Sequence, residues 1–151
     1  MKIGLDVMGG DYAPDATIAG AVLALNELET TDTIVLIGDE TIIRDKLKQY
    51  NTSADRFEIV HASEVIGMGE KPIKAFSQKP NSSIGLGFKL LKSKKIEAFA
   101  SAGNTGAVLV GAMYSVNTVP GVIRPSISSI IPKENGGLSL LLDVGANPDS
   151  K

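Results

Sequence analysis

Residues 2–11 read Lys-Ile-Gly-Leu-Asp-Val-Met-Gly-Gly-Asp. A short apolar run that stops at two glycines reads as a buried strand meeting a tight turn. Pro14 follows, and proline suits the first turn of a helix. Ile18, Val22 and Leu25 then recur at helical spacing, with Ala19 and Leu23 beside them. Strand, glycine turn and helix in that order open a parallel α/β sheet, and the order repeats downstream. Thr33 to Ile37 is expected as a second strand, stopped by Gly38. Asp39 is placed to cap a helix with the stripe Ile43, Leu47 and Tyr50. Phe57 to His61 reads as a third strand.

The stretch from Ser63 to Asn81 holds Gly67, Gly69, Pro72 and Pro80 and is expected as loop, with a short helix around Ile73 to Phe76. Ser82 or Ser83 would cap a helix striped by Ile84, Phe88 and Leu91. Ala98 to Ala100 is a short strand, followed by the turn Ser101-Ala-Gly-Asn-Thr-Gly106 and a helix of small residues through Val116. Ile127 to Ile131 and Leu138 to Leu142 read as an antiparallel pair across Glu134-Asn-Gly-Gly137. The expected fold class is therefore α/β, a mainly parallel sheet covered by helices. Residues 1–151 are read as one α/β region. A buried-looking strand so close to Lys151 suggests that the chain is a piece of something longer.

Of the 151 residues, 43% are hydrophobic and 21% charged, which suits a globular domain with a core. The formal net charge of −2 argues against general nucleic-acid binding. With no cysteine, disulfides, zinc thiolates and a cysteine nucleophile are excluded. The one histidine, His61, has no candidate nucleophile near it and is expected to be structural. No apolar signal core precedes Asp6, and the longest uncharged stretch, Ala98 to Ile123, is broken by Asn104, Asn117 and Pro120. A cytoplasmic chain is expected on these grounds.

The charge is unevenly spread. Residues 1–70 carry five cations and thirteen acids, whereas residues 71–95 carry seven lysines and no acid. Lys92, Lys94 and Lys95 suit the negative end of a helix dipole. Lys71, Lys74 and Lys79 lie in the glycine- and proline-containing loop. They are either a solvated face or an attractor for phosphate or an acidic partner.

Ligands of parallel sheets gather at the carboxyl ends of strands. Two glycine-rich turns fall there: Gly9-Gly10-Asp11, and Ser101 to Gly106 with Gly103, Asn104 and Thr105 inside it. Each leads into a helix whose first N–H groups can hold an anion. Each also reads as a plain tight turn with a helix cap, and neither matches a nucleotide-binding fingerprint. Ser82 and Ser83, with Lys79 before them, are either an N-cap or a third anion contact. Arg124 beside Pro125 is a surface residue or an oxyanion clamp. Asp143 and Asn147 flank Gly145 at the end of the last strand. Asp6 is a charge in an apolar run and needs a hydrogen-bonding partner.

Five motifs occur in order: Asp6-Val-Met-Gly-Gly-Asp11-Tyr-Ala-Pro14, Lys79-Pro-Asn-Ser-Ser83, Ser101-Ala-Gly-Asn-Thr-Gly-Ala107, Arg124-Pro125 and Leu142-Asp-Val-Gly-Ala-Asn147. Together they resemble the bacterial PlsX family of phosphate acyltransferases, from Met1 to Lys151. Val7 and Ser126 depart from its pattern, and the chain has the length of its N-terminal half. The resemblance implies a three-layer α/β/α fold like that of the isocitrate and isopropylmalate dehydrogenases, without a nicotinamide cofactor or metal. It implies attack of inorganic phosphate on a long-chain acyl thioester of acyl carrier protein. The acyl phosphate would then serve a membrane glycerol-3-phosphate acyltransferase in phospholipid synthesis. A homodimer and peripheral contact with a membrane are further implications.

Phosphate is anionic near neutral pH and a thiol leaves readily, so this chemistry requires positioning rather than a strong base. Asn104, Arg124 and Lys79 are the expected catalytic groups. Gly9, Gly10, Asp11, Ser82, Ser83, Ser101, Gly103, Thr105, Gly106, Asp143 and Asn147 are expected around phosphate or substrate. The alternatives are a phosphotransacetylase-like enzyme acting on acyl-CoA, a decarboxylating dehydrogenase of the same fold, and a non-catalytic anion-binding half.

Overall fold

The computed structural model describes residues 1–29, 31–116, 118–122 and 125–142. The chain divides into two compact units, Met1–Ser115 and Val116–Lys151.

The first unit carries four parallel strands: β1 (Lys2–Asp6), β2 (Thr33–Gly38), β3 (Glu58–His61) and β4 (Ala98–Ala100). Their order across the sheet is β3-β2-β1-β4. The helices are α1 (Asp15–Ala24), α2 (Glu40–Gln49), α3 (Pro72–Gln78), α4 (Ser83–Lys92) and α5 (Thr105–Ser115). A single 3₁₀ turn, Ala54–Arg56, precedes β3.

The side chains of β2 alternate between two cores, as a strand covered on both faces requires. Ile34 and Leu36 join Val7, Ile18, Ala21, Ile43, Leu47 and Phe57 under α1 and α2. Val35 and Ile37 meet Ala62 and Ile96, with Leu86 and Leu90 of α4 packed against them. A further cluster of Ile66, Ala75, Ile84, Phe88 and Ala107 joins α3, α4 and α5. The result is the expected three-layer α/β/α arrangement.

The local signals account for the helix ends. Asp39 accepts the Ile42 N–H at 3.0 Å and caps α2. Ser82 does the same for α4, accepting the Gly85 N–H at 3.1 Å. His61 Nδ1 accepts the Glu40 N–H at 3.2 Å, which makes it a structural partner of the same helix start as Asp39. The expected short helix between Ser63 and Asn81 is α3, with Pro72 in its first turn.

In the second unit, β5 (Ser128–Pro132) pairs antiparallel with β6 (Leu138–Leu142), Ile130 facing Leu140. The turn closes through Lys133 N–H to the Gly137 carbonyl at 2.8 Å, with Gly136 at positive φ. Among the described residues no helix is long and apolar enough to cross a membrane.

Candidate functional site

β1 runs into α1, which lies on one face of the sheet with α2. Its neighbour β4 runs into α5, which packs with α3 and α4 on the other face. Adjacent parallel strands that send their helices to opposite faces leave a crevice at their carboxyl ends. Both glycine-rich turns open into this crevice and touch. A Cβ on Gly9 would lie 2.8 Å from the Gly103 Cα, so neither position has room for a side chain at ordinary distance. Gly10 takes a φ of +115°, a conformation open to glycine, and faces Ala102.

Asp6 sits under this junction and is 1% exposed. Its Oδ2 accepts the Ser101 hydroxyl at 2.7 Å and its Oδ1 accepts the Met8 N–H at 3.0 Å. Ser101 Oγ in turn accepts the Gly103 N–H at 3.0 Å. The partner that the sequence demanded for Asp6 is therefore the opposite turn.

Asn104 is 5% exposed and fully occupied. Its Oδ1 accepts the Ala107 N–H at 3.0 Å and so caps α5. Its Nδ2 donates to the carbonyls of Gly67, Met68 and Glu70 at 3.1, 3.2 and 3.0 Å. In this structure Asn104 fastens the 67–70 loop to the start of α5. The first intrahelical bond of α5 runs from the Val108 N–H to the Asn104 carbonyl. The N–H groups of Thr105 and Gly106 thus precede the helical ladder and have no carbonyl within it. Gly106 also lies against the Pro72 ring, which brings the start of α3 to the same place.

Lys79 donates from Nζ to Glu70 Oε1 at 2.6 Å and to the Val65 carbonyl at 2.8 Å. The hydrogen bond from Lys79, then that from the Gly67 N–H, hold the Glu70 carboxyl below the ordinary carboxylate range. Lys79 is accordingly a partner of the loop, with its ammonium already engaged. Ser82 donates to the Lys79 carbonyl at 2.7 Å while capping α4, so of its two readings the cap is the one seen. Ser83 is buried in the first turn of α4. Asp11 is exposed beyond the first turn. Arg124, Asp143 and Asn147 lie outside the described residues.

The structure thus gathers Gly9, Gly10, Ser101, Gly103, Thr105 and Gly106 at one crevice. Lys79 and Ser82 are connected to it through Glu70 and Asn104. Glu70 and the carbonyls of the 67–70 loop were not expected, because nine residues separate Glu70 from Lys79 and no periodic pattern joins them. The lysine block is divided by the fold. Lys71 and Lys74 stand with Pro72 beside the start of α5. Lys89, Lys92, Lys94 and Lys95 lie at or after the end of α4, toward the amino ends of the strands, where the Glu97 N–H meets the Lys2 carbonyl.

The family model described as "Fatty acid synthesis protein" matches residues 1–151. A phosphate acyltransferase of Halothermothrix orenii is 45% identical over 151 residues, all of this chain and 45% of that protein. Phosphate acyltransferases of Dictyoglomus thermophilum and Fusobacterium nucleatum are 47% and 43% identical, again over the whole chain and 44% and 45% of theirs. The chain spans less than half the length of these relatives. Among solved structures, a phosphotransacetylase from Streptococcus pyogenes superposes with a TM-score of 0.63 at 16% identity, over 93% of this chain and 45% of that one. The EutD phosphotransacetylase from Staphylococcus aureus gives 0.60 at 21%, over 99% and 48%. At these identities the likeness is one of fold.

Proposed function

Since the chain belongs to the PlsX family, described as "Fatty acid synthesis protein", we infer that it is the N-terminal half of a phosphate acyltransferase. The reaction forms acyl phosphate from inorganic phosphate and a long-chain acyl thioester of acyl carrier protein. The observation that carries this reading is the contact of two glycine turns, Gly9–Gly10 and Ser101–Gly106, at the crevice between β1 and β4. Bare backbone and the first N–H groups of α5 form a seat for an oxyanion without any metal or thiol.

In this reading the N–H groups of Thr105 and Gly106 hold phosphate against the turn. A phosphate oxygen attacks the thioester carbon and forms a C–O bond, and the carbonyl oxygen becomes an oxyanion. The oxyanion then re-forms the carbonyl as the C–S bond breaks, and the thiolate leaves with the electron pair and takes a proton from water. Asn104 and Lys79 act here by fixing the loop that borders the seat. Arg124, Asp143 and Asn147 enter from the family pattern alone, Arg124 as a clamp on the oxyanion. Lys71 and Lys74 are offered as the part of the lysine block that meets an acidic carrier protein. A homodimer, peripheral membrane contact and delivery of acyl phosphate to a membrane glycerol-3-phosphate acyltransferase belong to the same proposal.

The test uses the complete gene product with phosphate and palmitoyl-carrier protein, or palmitoyl-CoA in parallel, and traps acyl phosphate with hydroxylamine. Hydroxamate from the carrier-protein donor is the expected result. Hydroxamate mainly from the CoA donor transfers the reading to a phosphotransacetylase-like enzyme. Folded protein that yields none from either donor overturns both and leaves an anion-binding half.

A further inference from the structure

Asp6 takes part in no step of the reaction just described, yet it is the buried charge nearest to both glycine turns. Among the described residues no lysine or arginine forms an ion pair with it. A carboxylate placed in a protein interior without a cation is costly and persists where its hydrogen bonds accomplish something. Both of its bonds here go to the turns. Oδ1 holds the Met8 N–H at the entry of the first, and Oδ2 holds the Ser101 hydroxyl that opens the second.

We propose that Asp6 is a positioning residue for the anion seat, acting through Ser101. A carboxylate only accepts, so the Ser101 proton must point to Asp6. The lone pairs of Ser101 are then turned to the Gly103 N–H, which they hold at 3.0 Å. That chain draws Gly103 inward against Gly9 and leaves the N–H groups of Thr105 and Gly106 directed out of the helix start. An amide in place of the carboxylate would set its NH₂ either against the Met8 N–H or toward Ser101 Oγ, whose proton must then turn away, and the charge would be gone. Either one end of the chain is lost or the charge-assisted bond that orients Ser101 is, although the shape is kept. The inference rests on the phosphate-acceptor reading and adds to it a residue that never touches substrate.

The test compares Asp6→Asn, Ser101→Ala, Ser101→Thr and the double variant Asp6→Asn/Ser101→Ala in the complete gene product. Two readouts are taken: the inorganic phosphate concentration that half-saturates its shift of the melting temperature, and the KM values for phosphate and for the acyl donor. Each of Asp6→Asn and Ser101→Ala is expected to raise both phosphate values about tenfold, the size of one lost charge-assisted hydrogen bond, and to leave the acyl-donor KM in place. The double variant should be no worse than either single one, because the two residues act as one unit. Ser101→Thr keeps the hydroxyl and should recover most of the phosphate binding that Ser101→Ala loses.

Unchanged phosphate values, multiplying losses in the double variant, an equal rise in the acyl-donor KM, or tighter phosphate binding by Asp6→Asn would each overturn the proposal. The last would mark Asp6 as a repelling charge instead. If Asp6→Asn fails to fold, Ser101→Ala decides alone, since it empties no core position. Acyl phosphate formation with phosphate values blind to these substitutions keeps the function and sinks the inference. Phosphate binding that obeys them without acyl phosphate does the reverse.

Discussion

Gly9 and Gly103 meet backbone to backbone: a Cβ on Gly103 would lie 3.2 Å from the Gly9 Cα, and one on Gly9 only 2.8 Å from the Gly103 Cα. The contact is tighter from the Gly9 side, which also abuts the Asp6 carboxylate. Gly9→Ala should therefore cost about 3 kcal/mol by overpacking, and Gly103→Ala clearly less. Denaturant midpoints of the two variants check this. Equal midpoints would mean that the turns can move apart without penalty.

The second prediction concerns Asn104, whose two ends can be separated by substitution. Asn104→Asp keeps the acceptor for the Ala107 N–H and loses the donors to Gly67, Met68 and Glu70. Asn104→Ala loses both, at about 1 kcal/mol for the cap and about 1 kcal/mol for the bonds to the part-exposed loop. Hydrogen exchange should rise in both variants at residues 67–70, and in Asn104→Ala alone in the first turn of α5. Exchange confined to α5 in both variants would contradict the tether.

Glu70 offers a pH test. Its carboxyl is held below the ordinary value by Lys79, so it releases its proton more readily folded than unfolded. The stabilisation is then fully present above the unfolded carboxylate value and is lost as pH falls through the lowered folded value. The melting temperature of the parent should drop more steeply below about pH 4.5 than that of Glu70→Gln. Parallel curves would remove the Glu70–Lys79 pair from the acid response.

The division of the lysines yields a salt prediction. If Lys71 and Lys74 face an acidic carrier protein, activity with that donor should fall as salt rises. Lys71→Glu/Lys74→Glu should flatten that slope, whereas Lys94→Glu/Lys95→Glu at the amino ends of the strands should leave it intact. A slope set by the second pair would relocate the docking surface.

What the chain disclosed at the level of sequence follows from the range of the forces involved. Helix caps such as Asp39 and Ser82, the stripe Ile43–Leu47 and the apolar run Thr33 to Ile37 are local, and each appears where it was expected. The glycine turns were visible for the same reason. Their mutual contact was not, because it depends on β4 lying beside β1, a pairing no local pattern encodes. The carbonyl partners of Asn104 were not legible, because an amide that serves substrate and one that serves three carbonyls look alike in sequence. The lysine block seemed continuous because composition ignores length: ten residues of α4 carry the chain about 15 Å, from the carboxyl ends of the strands to their amino ends.

The bond between Asp6 and Ser101 spans 95 positions of the chain. During synthesis the first turn therefore emerges long before its counterpart exists. If the two turns form the proposed anion seat, a nascent chain that has exposed only three strands lacks it, because the seat needs β4 and the start of α5. Phosphate in the cell would then favour the closed form only from that moment, as a ligand of the finished sheet and of nothing earlier.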